Sequence, residues 1–149
     1  MQNIENVFQP AQMADKIADM RRGADWFFWI AALGILNSLI VTFGGLPDML
    51  FGLGSTRLVD EMLRANSLAA VNPIGLFFNA AIAVLFAAFG YYARKGNDRI
   101  FVLGMFLYVV DAMISIGFRD FWGFGFHLVA LFYIGRGLLA SRKRFDPSV

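Results

Sequence analysis

The chain has 149 residues, 58% hydrophobic and 16% charged, with a formal net charge of +2 and no cysteine. Soluble domains carry about 45–50% apolar and about 25% charged residues, so this balance excludes an ordinary soluble globular fold. The small net charge, with no basic patch interleaved with aromatics, excludes nucleic acid as a partner; the lack of cysteine excludes disulfides, thiolate metal sites, iron–sulfur clusters and thiol redox chemistry within the chain.

Residues 1–23 place Met13, Ile17 and Met20 on one helical face and Asp15, Lys16, Asp19 and Arg22 elsewhere, which predicts an amphipathic segment lying on the cytoplasmic membrane surface. The apolar run that follows is longer than the roughly 7–15 residue core of a secretory signal and is read as a retained span. Spans of close to the roughly 20 residues needed to cross a hydrocarbon core are expected at about 25–46, 72–92, 100–118 and 123–139. All four are continuously apolar rather than alternating, which fits helices and not barrel strands. The fold expected is all-α: a polytopic four-helix bundle forming one membrane domain.

Between the first two spans lies the only long connection, Pro47 to Val71. There Leu58, Val59, Met62 and Leu63 recur at helical spacing, while Arg57 with Glu61 and Asp60 with Arg64 form i,i+4 pairs. This predicts a short amphipathic helix on the outer surface, capped by Ser55 or Thr56 after Gly52 and Gly54 break the preceding run. It reads either as a lid or partner surface, or as a helix resting at the lipid interface. The connections Arg94–Arg99 and Arg119–Trp122 are short enough to make spans two, three and four consecutive antiparallel neighbours, leaving span one freer. The tail, 140–149, is expected to be short, basic and mobile.

Ten of the 13 lysines and arginines fall on one side of this topology: Lys16, Arg21, Arg22, Arg94, Lys95, Arg99, Arg136, Arg142, Lys143 and Arg144. Only Arg57, Arg64 and Arg119 fall on the other. The positive-inside rule then places both termini in the cytoplasm. Trp26, Trp29, Trp122, Tyr91, Tyr92 and Tyr133 sit near span ends, as an interfacial aromatic belt requires.

Asp111 is the clear ionisable group of span three, and a carboxyl at that depth costs at least about 2.5 kcal/mol, which marks it as a site candidate facing the bundle. Tyr108 and Ser115 share its helical stripe. By helix rise, Asp111 lies about 10 Å from the outer end, His127 about 6–8 Å, Asn79 about 9–10 Å, and Asn37, Ser38 and Thr42 about 6–14 Å. Depth thus brings a polar group from every span into the outer third of the membrane, and a single cluster is expected there. In it Asp111 and His127 would pair, with Asn79 and Asn37 completing their hydrogen bonds. Such a pair serves as a proton relay or ligand anchor, or as interhelical glue. Gly34 with Ser38, and Ala83 with Ala87, are small-xxx-small pairs that permit close helix approach.

No catalytic set, phosphate loop or metal-ligand spacing is present, and no cofactor or metal site is predicted. The stretches FGLGSTRLVD at 51–60, LYVVDA at 107–112 and GFHLVALFYIGRGL at 125–138 resemble small bacterial four-span integral membrane proteins of uncharacterised activity. That resemblance implies a bacterial cytoplasmic membrane and transfers no functional residue. Three readings of function follow: a non-enzymatic accessory or homo-oligomeric interaction protein; a small-molecule or proton-coupled protomer built on Asp111 and His127; and a lipid- or quinone-active membrane enzyme.

Overall fold

The computed structural model describes residues 2–42, 54–55, 58–59, 62 and 73–145. Four long helices carry the fold: α1 (Gln2–Thr42), α2 (Pro73–Arg94), α3 (Asp98–Gly117) and α4 (Phe121–Phe145). Each contains a stretch long and apolar enough to cross a membrane, and no strand occurs among the described residues. The chain is therefore an all-α, multi-pass four-helix bundle.

Local chemistry sets the turns. Pro73 opens α2, where its missing N–H costs nothing. After α2, Gly96 adopts φ 80° and Asn97 caps α3 by accepting from the Ile100 N–H. After α3, Arg119 takes the left-handed conformation at φ 57°, and Asp120 Oδ1 accepts from the Gly123 N–H at 2.8 Å to start α4. These two tight turns make α2, α3 and α4 successive antiparallel helices, as expected.

The packing hierarchy differs from the expectation in one respect. α1, left freer by its long connection, is the principal strut: it packs extensively against both α2 and α4, and far more than α2 does against α3. Glycine explains the α1–α4 seam. A Cβ on Gly23 would lie 2.5 Å from Gly137 Cα, and one on Gly137 would lie 2.7 Å from Gly23 Cα, so the two backbones touch. Trp26 stacks on Tyr133 one turn along, with centroids 5.0 Å apart and planes 8° from parallel. This contact uses one glycine per helix, which a search for small-xxx-small repeats does not register.

The α1–α2–α3 interior is aromatic. Phe27 lies against Phe86, Phe89 and Phe101 at centroid distances of 6.4, 6.1 and 6.1 Å, and Gly104 leaves room for the Phe27 ring. Phe86 then reaches Tyr108 at 5.8 Å, carrying the core toward the polar cluster.

Both helices at the chain termini run farther than expected. The amphipathic segment and span one form a single helix from Gln2, and α4 continues to Phe145 rather than ending near residue 139. At 1.5 Å per residue α1 extends about 60 Å, roughly twice the thickness of a hydrocarbon core. No proline or glycine pair interrupts the helix at the junction, and Gly23 is needed there for contact with α4 rather than as a break. Lys16 Nζ donates to the Lys143 carbonyl at 3.4 Å and Asp19 lies 4.0 Å from Arg136, exposed contacts that bridge the two extended ends.

Filling the glycine seam tests this account. Gly23→Leu meets backbone atoms that cannot rotate away, and is expected to destabilise the protein by at least the roughly 1–3 kcal/mol typical of overpacking. Gly125→Ala, where a Cβ meets nothing within 4 Å, is expected to be neutral or to gain up to about 1 kcal/mol in helix propensity. Thermal unfolding in detergent compares the two.

Candidate functional site

α3 presents Tyr108, Asp111 and Ser115 on one buried face, because residues three and four apart share a side of the helix. α4 brings His127 back to the same level: Asp111 is six residues before the end of α3 and His127 six after the start of α4, each about 9 Å along its helix. The side chains meet. His127 Nε2 lies 2.8 Å from Asp111 Oδ2, and the two residues are 1% and 4% exposed. Tyr108 stacks over the imidazole with centroids 4.5 Å apart.

The carboxylate is completed from a direction the sequence reading did not foresee. The Gly54 N–H donates to Asp111 Oδ2 at 2.9 Å and the Ser55 N–H donates to Oδ1 at 2.7 Å. Both donors are backbone amides of residues with helical conformation. Gly54 is pressed against α3: a Cβ there would stand 2.6 Å from the Asp111 carbonyl oxygen and 2.7 Å from Ser115 Oγ. Gly54 is therefore buried against α3, and its amide and that of Ser55 are satisfied by a carboxylate on that helix. Backbone amides aimed at a carboxylate are the usual arrangement at a helix start. Leu58, Val59 and Met62 also have helical backbone, whereas Thr56, the remainder of 47–71 and its two i,i+4 pairs lie outside the described residues.

The expected role of the asparagines is corrected by this arrangement. Asn79 Nδ2 donates to Ser38 Oγ at 2.8 Å, joining α2 to α1, so the amide serves a different pair of helices. Asn37 is buried, and its Oδ1 accepts no hydrogen bond among the described residues. Ser115 Oγ donates to the Asp111 carbonyl at 3.3 Å, one turn back on its own helix. The side chain of Thr42 lies outside the described residues. Of the residues singled out from sequence, the structure thus joins Asp111, His127, Tyr108 and Ser115 in one cluster; Asn79 is hydrogen-bonded to Ser38 and Asn37 is buried on α1.

Hydrogen-bond geometry counts the protons of the pair. His127 Nδ1 is 2.6 Å from the Gly123 carbonyl oxygen, which can only accept, so Nδ1 carries a hydrogen. Between Nε2 and Oδ2 there is then one proton, resident either on the ring, giving an imidazolium–carboxylate pair, or on the carboxyl, giving a neutral pair. Removing the proton would set the Nε2 lone pair against a carboxylate oxygen, and moving the ring hydrogen from Nδ1 would set a lone pair against the Gly123 carbonyl. All four polar side-chain atoms of Asp111 and His127 have partners within the protein. As metal ligands they would number two, and no group of three or more such residues occurs among the described residues.

Because His127 is the only histidine, labelled-imidazole nitrogen NMR reads this site directly. Hydrogen is expected on Nδ1; a neutral ring with hydrogen on Nε2 alone would contradict the geometry. Gly54→Val, which changes no charge, is expected to expose the 54–62 stretch to limited proteolysis by pushing it off α3. No family model matches the chain, and no curated protein or solved structure matches it, so the reading of this cluster rests on its own geometry.

Proposed function

We propose that this chain is a non-enzymatic membrane protein that acts through association, as an accessory subunit or a homo-oligomer, seated in a bacterial cytoplasmic membrane with both termini inside. The observation that supports this most directly is the complete internal satisfaction of the Asp111–His127 pair. Every donor and acceptor on it is spent on Gly54, Ser55, Gly123 or its own partner, so the pair ties the long connection to α3 and α4 and presents no polar atom to a substrate. The basic bias of ten residues to three supports the orientation.

A second reading is favoured by one specific feature, the single proton between Nε2 and Oδ2. A proton-coupled site needs a group that can hold the proton on either partner, and this pair supplies one. For such a site to work, the Gly54–Ser55 amides must leave the carboxylate and admit water or a ligand in their place.

The two readings part in reconstituted liposomes. On the association reading, differently tagged copies, or this chain and a stoichiometric membrane partner, co-purify, and no pH-driven flux exceeds that of empty vesicles. Asp111→Asn then lowers stability by about 1–3 kcal/mol, because one buried amide loses its acceptor, with association intact. A proton flux that Asp111→Asn abolishes would overturn this in favour of the second reading.

A further inference from the structure

The end of the bundle opposite the Asp111 cluster carries a second feature, independent of the association reading. Three of its carboxylates, Asp19, Asp25 and Asp98, already have partners on neighbouring helices. Asp25 Oδ1 accepts from Arg94 Nε at 2.6 Å, joining α1 to α2. Asp19 lies beside Arg22 and Arg136, and Asp98 accepts from the Ser141 hydroxyl, joining α3 to α4. Arg94 also lies over the Phe28 ring and Lys95 over Tyr91. Among the described residues Arg99 and Arg142 make no ion pair, and both are exposed.

These two arginines face one open groove of about 530 Å³, bounded by Asp98, Arg99, Val102, Leu103, Phe106 and Arg142. That volume falls in the range of small-ligand sites, roughly 300–1,000 Å³. Its layout follows from the helix repeat. Arg99, Val102, Leu103 and Phe106 stand at i, i+3, i+4 and i+7, a single stripe on α3 that runs from a cation at the helix start about 10 Å toward the middle of the bilayer. Val102, Leu103 and Phe106 are 44%, 46% and 62% exposed. Arg142, from the last turns of α4, supplies a second guanidinium at the charged mouth. Asp98 is the one acid on the rim, and its Ser141 hydrogen bond ties it to α4.

We propose that this groove binds one anionic phospholipid, with its headgroup phosphate between Arg99 and Arg142 and an acyl chain along Val102, Leu103 and Phe106. Each part of the groove matches a part of that molecule. Guanidinium groups hydrogen-bond phosphate oxygens in pairs, and two of them from different helices make a site that a single surface lysine does not. The apolar wall starts where the charge ends, which suits an acyl chain and not a free anion. Basic pockets between helix ends are a recurrent headgroup-binding arrangement in membranes. The net positive charge of the rim, two arginines against one engaged aspartate, selects an anionic headgroup over a zwitterionic one.

The test uses the full chain in neutral detergent, with phosphatidylglycerol, phosphatidylcholine and inorganic phosphate as separate probes read by native mass spectrometry and thermal shift. Phosphatidylglycerol is expected to stay bound at one per chain and to raise the melting temperature; phosphatidylcholine and phosphate at equal concentration are not. R99Q/R142Q is expected to raise the phosphatidylglycerol concentration for half-occupancy by about 10-fold or more, the scale of two surface cation–headgroup contacts. F106A should weaken it further while leaving both arginines in place. R21Q/K95Q removes the same charge from the same end of the bundle but outside the groove, and should leave occupancy unchanged. Equal loss in R21Q/K95Q, equal binding of phosphatidylcholine, or equal stabilisation by phosphate would each overturn the proposal.

Discussion

A carboxylate in an apolar bundle has to be satisfied, and the architecture at one end of this molecule follows from how Asp111 is. A lone charge at that depth costs several kcal/mol; a carboxylate paired with a histidine and held by two amides is tolerated. The requirement fixes three things together. α4 must return with His127 level with Asp111, which the tight Arg119 turn arranges. The long connection must present backbone N–H groups to the carboxylate, and Gly54 and Ser55 supply two in succession. The residue that makes the closest approach must lack a side chain, and Gly54 does.

This reciprocity explains why an apolar residue could not simply replace the aspartate. In many proteins a buried ion pair exchanged for well-packed hydrophobic residues is neutral or stabilising. Here that exchange would strand the buried Gly54 amide, at roughly 1–3 kcal/mol, and take the acceptor from the part-buried Ser55 amide. The carboxylate is thus matched to backbone donors as much as to His127. Tyr108, stacked on the imidazole and in turn packed on Phe86, connects this polar knot to the aromatic core, so the ring orientation that points Nε2 at Asp111 is also a packing constraint.

How far the sequence could be read follows from the same physics. Composition and span length specify helices, and short turns specify which follow one another, so the four-span bundle was legible. Depth along a helix is counted in residues, so Asp111 and His127 could be placed at a common level. Rotation about each axis is not encoded in spacing so directly, and Asn79 accordingly turns to Ser38 although its depth is similar. The backbone donors were invisible for a different reason. An amide has no residue-type signature, and the only trace of it was Gly54, which reads locally as a helix breaker and in the fold as a point of contact with α3. The Gly23–Gly137 seam was hidden likewise, because a single glycine on each of two distant helices forms no motif within either.

The two ends of the bundle use charge in opposite ways. At the Asp111 end the Asp111–His127 pair is buried, fully partnered and held at fixed distances, where low dielectric makes each interaction strong and each omission costly. At the other end, Asp25 with Arg94 and Asp19 with Arg136 are half-exposed, so solvent screens them and each contributes little to stability. Helix pairing there rests instead on the glycine seam and on Trp26 against Tyr133. Exposed basic residues at that end consequently face few structural demands, and Arg99 and Arg142 flank an apolar stripe on α3 without being needed to pair the helices.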